Sequence, residues 1–179
     1  MADDTLTEWM RAAAAHAGPD AVRICTGTDD ERDELTGRML ADGSLIALDQ
    51  ARYPGCSLHR SDPSDVARTE QCTFICSASE ADAGPSNNWM SPDRASAEVW
   101  PLFSGSMKGR MMFVVPYLLG PEGSPHGRVG VEITDSPYVV LNLMRMTRAG
   151  RTAFERIAEG MPFVRGVHST GTLDPAKRF

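Results

Sequence analysis

The sequence has no run of about 18 apolar residues, the length a membrane-spanning helix needs, and no basic-then-apolar leader between Met1 and Arg11. Both absences lead to the expectation of a cytoplasmic protein that does not touch a membrane. Positive charge is short as well. With 18 Lys and Arg against 24 Asp and Glu, the net charge is -6. Nothing therefore draws the chain as a whole to nucleic acid or anionic lipid, and any bound anion must be held by a local group of basic side chains. Paired cysteines are missing too. Cys25, Cys56, Cys72 and Cys76 contain no CxxC, so zinc is not expected and free thiols are. Finally, no GxxxxGK[ST] phosphate cradle occurs. Gly105-Ser106-Met107-Lys108-Gly109-Arg110 has glycines and basic groups, but not the spacing that aims successive backbone N–H groups at a phosphate ahead of a helix.

What is present fits one domain: 179 residues can bury a real core but cannot hold two full catalytic domains. Leu6, Trp9, Met10 and Ala13 recur at the spacing of one helical face, which predicts a helix over Thr5–His16, stopped by Gly18-Pro19. A second helix is expected over Asp30–Leu40, with an acidic first turn and Gly43 as its stop. These two helices, within residues 1–50, read as a small cap on a mixed-sheet portion, 51–179. The stretch Arg52–Arg68 is rich in Pro, Ser and Asp and reads as irregular. Cys72-Thr73-Phe74-Ile75-Cys76-Ser77 reads as a strand that points both cysteines and Phe74 to one face, as small core side chains. A loop over Glu80–Asn88 precedes a helix that begins at Ser91-Pro92 and runs to about Phe103.

Met111–Pro116 and Arg128–Thr134 are apolar, partly β-branched runs joined by the Pro/Gly-rich loop Gly120–Gly127, the pattern of two strands that can pair. Thr134-Asp135-Ser136-Pro137 starts a helix that is apolar on most sides and so is expected to be buried, with Arg145 and Arg148 near its end and Gly150 as its stop. A short amphipathic helix, Arg151–Glu159, and a strand, Phe163–Val167, complete an α/β (mixed α+β) fold: a single compact domain, 1–179, with a mixed sheet and flanking helices.

Six blocks, in order, resemble the actinobacterial form of GTP-dependent phosphoenolpyruvate carboxykinase. They are Ser61-Asp62-Pro63-Ser64-Asp65-Val66-Ala67-Arg68, Cys72-Thr73-Phe74-Ile75-Cys76-Ser77, Asp82-Ala83-Gly84-Pro85-Ser86-Asn87-Asn88-Trp89, Gly105 to Arg110, Gly130-Val131-Glu132-Ile133-Thr134-Asp135-Ser136, and Val164-Arg165-Gly166-Val167-His168-Ser169. The resemblance runs from about Leu6 to Gly171 and corresponds to roughly the first third of a family member of ordinary domain sizes. It implies the N-terminal, substrate-binding part of an enzyme that decarboxylates oxaloacetate to an enolate and captures it with the γ-phosphoryl group of GTP, aided by Mn²⁺ or Mg²⁺. It also implies that Arg68 grips the carboxylate of oxaloacetate or phosphoenolpyruvate, for which a planar, permanently charged fork is suited. The bland alternative for Arg68 is a surface pair with Glu70 or Asp65.

The family's kinase loop, metal ligands and guanine-binding residues lie beyond the stretch that Phe179 matches. The chain is thus expected to hold neither GTP nor metal and not to perform phosphoryl transfer alone. Three readings remain open at this level: a fragment that binds a small carboxylate; a stand-alone lyase doing decarboxylation or enol chemistry on a β-keto acid; and a non-catalytic or split-enzyme module. The last would associate with a separate carboxykinase C-terminal part or with itself. Weaker site candidates are Lys108 and Arg110 as further carboxylate contacts and His168 as a catalytic base, although a strand-end His is more often structural. Arg128, Arg145, Arg148 and Arg165 are further cations of unknown direction. Ser169 beside His168 makes no nucleophile-base pair, because strand neighbours point to opposite faces. Asp135 reads as a helix-start charge rather than an acid, and Trp89 as a loop anchor or a pocket wall. The strand that usually reads Gly-Arg-Thr-Met-Tyr-Val is Gly109-Arg110-Met111-Met112-Phe113-Val114 here. The two lost hydroxyls read as a packing change or a change of substrate.

Overall fold

The computed structural model describes residues 2–60 and 70–171. Its centre is a sheet of β1 (Ala21–Ile24), β6 (Met111–Leu119), β7 (Arg128–Thr134) and β9 (Phe163–His168), in the order β1-β6-β7-β9. The sheet is mixed. β1 runs parallel to β6, β6 and β7 are the antiparallel pair expected from their loop, with Phe113 opposite Thr134 and Leu119 opposite Arg128, and β7 runs parallel to β9. The two-residue β8 (Arg148–Ala149) continues the β1 edge of β6 at Tyr117 and Leu118. Pro116 sits between the stretches paired to β1 and β8. Its carbonyl faces that edge and accepts from Gly150 N at 2.7 Å, so the N–H that proline lacks falls in a gap of the ladder.

Alternation along the two central strands divides the core in two. Met112, Val114 and Leu118 with Val129, Val131 and Ile133 face α1 (Ala2–Ala17) and α5 (Arg151–Ala158), which contribute Leu6, Ala13, Ala17, Ala153 and Ile157. Phe113 and Val115 face the other way, against Cys25, Leu35 of α2 (Asp29–Ala41) and Val140 of α4 (Pro137–Met146). α1 and α2 thus cover opposite faces of the sheet, with β1 between them in the sheet itself, rather than standing apart as a cap. β1 is invisible to periodicity because it has only four residues and owes its strand form to β6.

Capping fixes the helix starts as expected. The Thr28 side chain accepts from Glu31 N ahead of the acidic turn of α2, and Ser136 accepts from Val139 N with Pro137 beginning α4. α4 is less buried than its composition suggests, since only Val140 is fully enclosed and Met146 is exposed. The residues between hold two small sheets. β2 (Leu45–Ala47) pairs antiparallel with β3 (Ser57–His59), and β4 (Phe74–Cys76) pairs parallel with β5 (Asn88–Met90), followed by α3 (Pro92–Val99). The expected core role of Cys72 and Cys76 is corrected here: both are exposed, Cys72 in a 3₁₀ turn, because β4 is three residues long and joins only this outlying ribbon.

Candidate functional site

One end of the central sheet gathers three of the sequence-predicted residues. β7 and β9 finish there at Thr134 and His168, and β6 begins there after Lys108 and Arg110. Carboxyl ends of adjacent parallel strands are where open α/β sheets place ligands. The block that holds Arg68 lies outside the described residues.

Asp135 organises this end. Its side chain has no solvent exposure, and both carboxylate oxygens are filled. Oδ2 accepts from Arg110 Nε at 2.9 Å and Ser169 Oγ at 2.7 Å, and Arg110 Nη2 approaches it at 2.9 Å. Oδ1 accepts from Thr170 N at 2.8 Å. Arg110 Nη2 also donates to the carbonyl of Ser106 and, at 2.6 Å, to that of Gly171. One ion pair, its carboxylate buried and its guanidinium partly exposed, therefore fastens the entry to β6, the β7–α4 turn and the segment after β9 together. Its guanidinium is engaged by protein groups, which makes Arg110 a holder of this end rather than a free fork for a carboxylate. Asp135 is more than the helix-start charge that its place before Ser136-Pro137 suggests. The cap is Ser136, and Asp135 works through partners 25 and 34 residues away, a pairing with no local signal.

His168 is exposed, and its Nδ1 lies 2.9 Å from Thr134 Oγ1, a buried hydroxyl that also accepts from Ser136 N at 3.1 Å. The same atom can donate to a neutral ring or accept from a protonated one, so the imidazole keeps its place in either state. Ser169 turns to Asp135 instead of His168, as expected for strand neighbours.

Lys108 lies exposed on the turn before Arg110, its stem over Gly105 and Gly18, with no ion pair among the described residues. The turn itself is closed to phosphate. Gly105 N donates to His16 O, Ser106 N to Phe103 O, Met107 N to Ala17 O, Lys108 N to Gly105 O and Arg110 N to Met107 O. Gly109 N donates to Asp20 Oδ1 at 3.1 Å, so every N–H of the block already has a partner.

The remaining cations do not converge. Arg128 and Arg148 bond carbonyls around the Gly120–Gly127 loop at the opposite end of β6 and β7, Arg145 is exposed on α4, and the Arg165 guanidinium lies 5.5 Å from the centre of the Trp9 ring on the α1 side. Trp89 acts as an anchor, donating its indole N–H to Ser77 O at 3.1 Å. Met111 and Phe113, at the positions where hydroxyls are lost, pack with the α2/α4 core, which favours the packing reading of that change. An apolar groove of about 430 Å³ between α3 and β9, lined by Val99, Trp100, Phe103 and Val167, has no charged wall to fix a carboxylate.

At the far end of β1, Glu31 is buried and accepts from Thr26 N at 2.8 Å and Gly27 N at 2.9 Å, with Arg23 Nε at 3.1 Å on its other oxygen. Gly27 and Gly150 cross here so closely that a Cβ on either would run into the other's backbone segment. Cys25 beside them is buried, and loss of solvent pushes its thiol up to about 12, helped by the Glu31 charge. It is an inert packing residue rather than a nucleophile.

Against known proteins, the sequence model of the phosphoenolpyruvate carboxykinase N-terminal domain matches residues 8–178. The chain belongs to that family. It is 47% identical over 174 residues to a phosphoenolpyruvate carboxykinase [GTP] of Anaeromyxobacter dehalogenans, covering 97% of this chain and 29% of the relative. A phosphoenolpyruvate carboxykinase [GTP] of Corynebacterium jeikeium is 47% identical over 173 residues, covering 96% and 28%, and one of Chlamydia abortus 44% over 174, covering 97% and 29%. The chain therefore spans less than a third of the length of these carboxykinases and corresponds to their N-terminal part.

Among the described residues, no three His, Cys, Asp or Glu side chains are grouped to hold an ion, and the Gly105–Arg110 turn has no backbone N–H free to offer a phosphate. No helix among the described residues is long and apolar enough to cross a membrane.

Proposed function

We propose that this chain is a substrate-binding domain of the carboxykinase family that holds a small carboxylate of the oxaloacetate or phosphoenolpyruvate kind through Arg68, and that alone it does not transfer a phosphoryl group from GTP. The observation that carries the reading is the family match over 8–178, which takes in the Val66-Ala67-Arg68 block. The engaged N–H groups of the Gly105–Arg110 turn support its negative half. Arg supplies two parallel charged hydrogen bonds to a carboxylate, and an overall acidic chain needs such a local cation to retain an anion. Lys108, exposed and unpaired among the described residues, is the available second cation, whereas Arg110 serves by holding the strand ends.

Thermal melts test both halves. Oxaloacetate, phosphoenolpyruvate or oxalate is expected to raise the Tm, by an amount that grows with the logarithm of its concentration once that exceeds the Kd. GTP with Mn²⁺ is expected to leave Tm unchanged and to give no phosphoenolpyruvate from oxaloacetate. A GTP-dependent shift or turnover in material free of host carboxykinase would contradict the missing-module reading, and three flat carboxylate titrations would contradict the binding one.

A further inference from the structure

α3 and the 3₁₀ turn that continues it, Trp100–Phe103, contain no buried residue. Trp100 is 45% exposed, yet it is not loose. The ring of His16, near the end of α1, lies against the indole with centroids 4.3 Å apart and planes 7° from parallel, and its Nε2 is 2.8 Å from the Trp100 carbonyl. A carbonyl only accepts, so that nitrogen carries a proton and donates it. One side chain thus sets both the plane of the indole and the backbone that carries it.

Trp100 stands between two apolar spaces. Outside is the groove of about 430 Å³ beside α3. Three of its walls, Trp100, Phe103 and Val167, also wall a void of about 10 Å³ that reaches Met107 and Ile133 in the α1-side core. Val167 belongs to the central sheet, and Phe103 precedes a turn bonded to α1 through Gly105 N to His16 O and Met107 N to Ala17 O. Trp100 has no such backbone tie: its N–H donates to Ser96 O within its own arm, and its carbonyl is held by the His16 ring. Among the shared walls it is the one that a single side-chain contact fastens to the frame.

We propose that Trp100 is a lid over this void, that His16 is the latch that keeps it shut, and that the opened space binds a flat, uncharged apolar molecule. An indole swung outward joins groove and void into one pocket floored by the core. The groove walls carry one hydroxyl, that of Ser96, and no charged side chain among the described residues, so an ion finds nothing to offset its lost hydration, whereas a flat ring can stack on the indole as His16 does. Segments that open for ligands are those with few buried contacts and exposed hydrogen bonds, and the His16–Trp100 bond is exposed. This goes beyond carboxylate binding and does not depend on Arg68.

The test uses protein labelled with fluorotryptophan, in which Trp9, Trp89 and Trp100 give separate fluorine resonances and Trp100→Phe assigns the last. Benzene is the probe and benzoate its charged counterpart. Benzene is expected to move the Trp100 resonance saturably while those of Trp9 and Trp89 stay in place, and benzoate to move none. In His16→Ala the closed state that competes with binding loses its latch, and benzene is expected to bind about tenfold more tightly. His16→Phe, which keeps a ring on the indole without the donor, should fall between the two. Melts establish that the variants fold, and if His16→Ala does not, His16→Phe against the wild type decides alone. Equal benzene affinity in the wild type and the folded variants overturns the latch. A flat titration in all of them, or benzoate binding as tightly as benzene, overturns the site. The carboxylate titrations touch neither residue, so failure there and failure here are separate results.

Discussion

Strands β6 and β7 bury most of their side chains, whereas between Leu45 and Phe103 only Leu45, Ala83 and Met90 are buried among the described residues. The first region is held by apolar packing on two faces and by the Asp135–Arg110 pair. The second has polar contacts within itself: Gln50 bridges the carbonyls of Leu48 and Cys56, and Asn88 reaches those of Glu70 and Thr73. Ile46, Tyr53, Leu58, Ile75, Trp100 and Leu102 stay exposed there. The difference separates a sheet that is a frame with its own core from described segments that depend on polar contacts, and local opening is expected to be easier in the second than in the first.

The sharpest way to break this contrast is to remove the lock of the frame. Asp135→Ala takes the acceptor from the partly exposed Arg110 guanidinium, from Ser169 and from Thr170, and a loss of about 1.5–3 kcal/mol, that of a hydrogen bond to a charged group, is expected on urea denaturation. A loss below about 1 kcal/mol would show that the clasp is ornamental.

Much of the frame was legible in the sequence, and the reason is local. β-branched runs around a Pro/Gly loop marked β6 and β7, and Ser136-Pro137 marked the start of α4, because alternation and capping act over a few residues. What escaped acts at long range. β1 is a strand only because β6 pairs with it, Asp135 needs Arg110 and Ser169, and His168 needs Thr134. The glycine crossing at Gly27 and Gly150 joins turns more than a hundred residues apart in sequence, and no spacing rule finds it. Family resemblance, rather than any local pattern, singled out Arg68.

A smaller effect, with a sign that depends on pH, separates Glu132 from Asp135. Burial raises the Glu132 carboxyl, so the folded state holds that proton more tightly than the unfolded one. Stability from this source is full below the ordinary glutamate value of about 4.3 and is lost as pH rises through the folded value. Glu132→Gln removes the loss. Denaturation at pH 7 should find the variant more stable than the wild type, with the advantage gone near pH 3.5. Equal stability at pH 7, or a variant less stable there, would mean that the carboxylate has a partner.

The smallest effect belongs to the ribbon. Ile75→Ala, at a position 43% exposed, removes little buried surface and should cost under about 1 kcal/mol, well below the 2–5 kcal/mol typical of Ile→Ala in a packed core. A core-sized loss would erase the distinction between the two regions.

The claim that Arg68 is the carboxylate contact is tested most directly by calorimetric titration of oxaloacetate, phosphoenolpyruvate and oxalate into the wild type and Arg68→Ala, with folding checked by circular dichroism. Losing a bidentate charged contact should weaken binding by about ten- to a hundredfold, equivalent to about 1.5–3 kcal/mol, and Arg68→Lys should restore it only in part because an ammonium lacks the fork. Equal binding of the same carboxylate by the wild type and a folded Arg68→Ala protein would contradict the account.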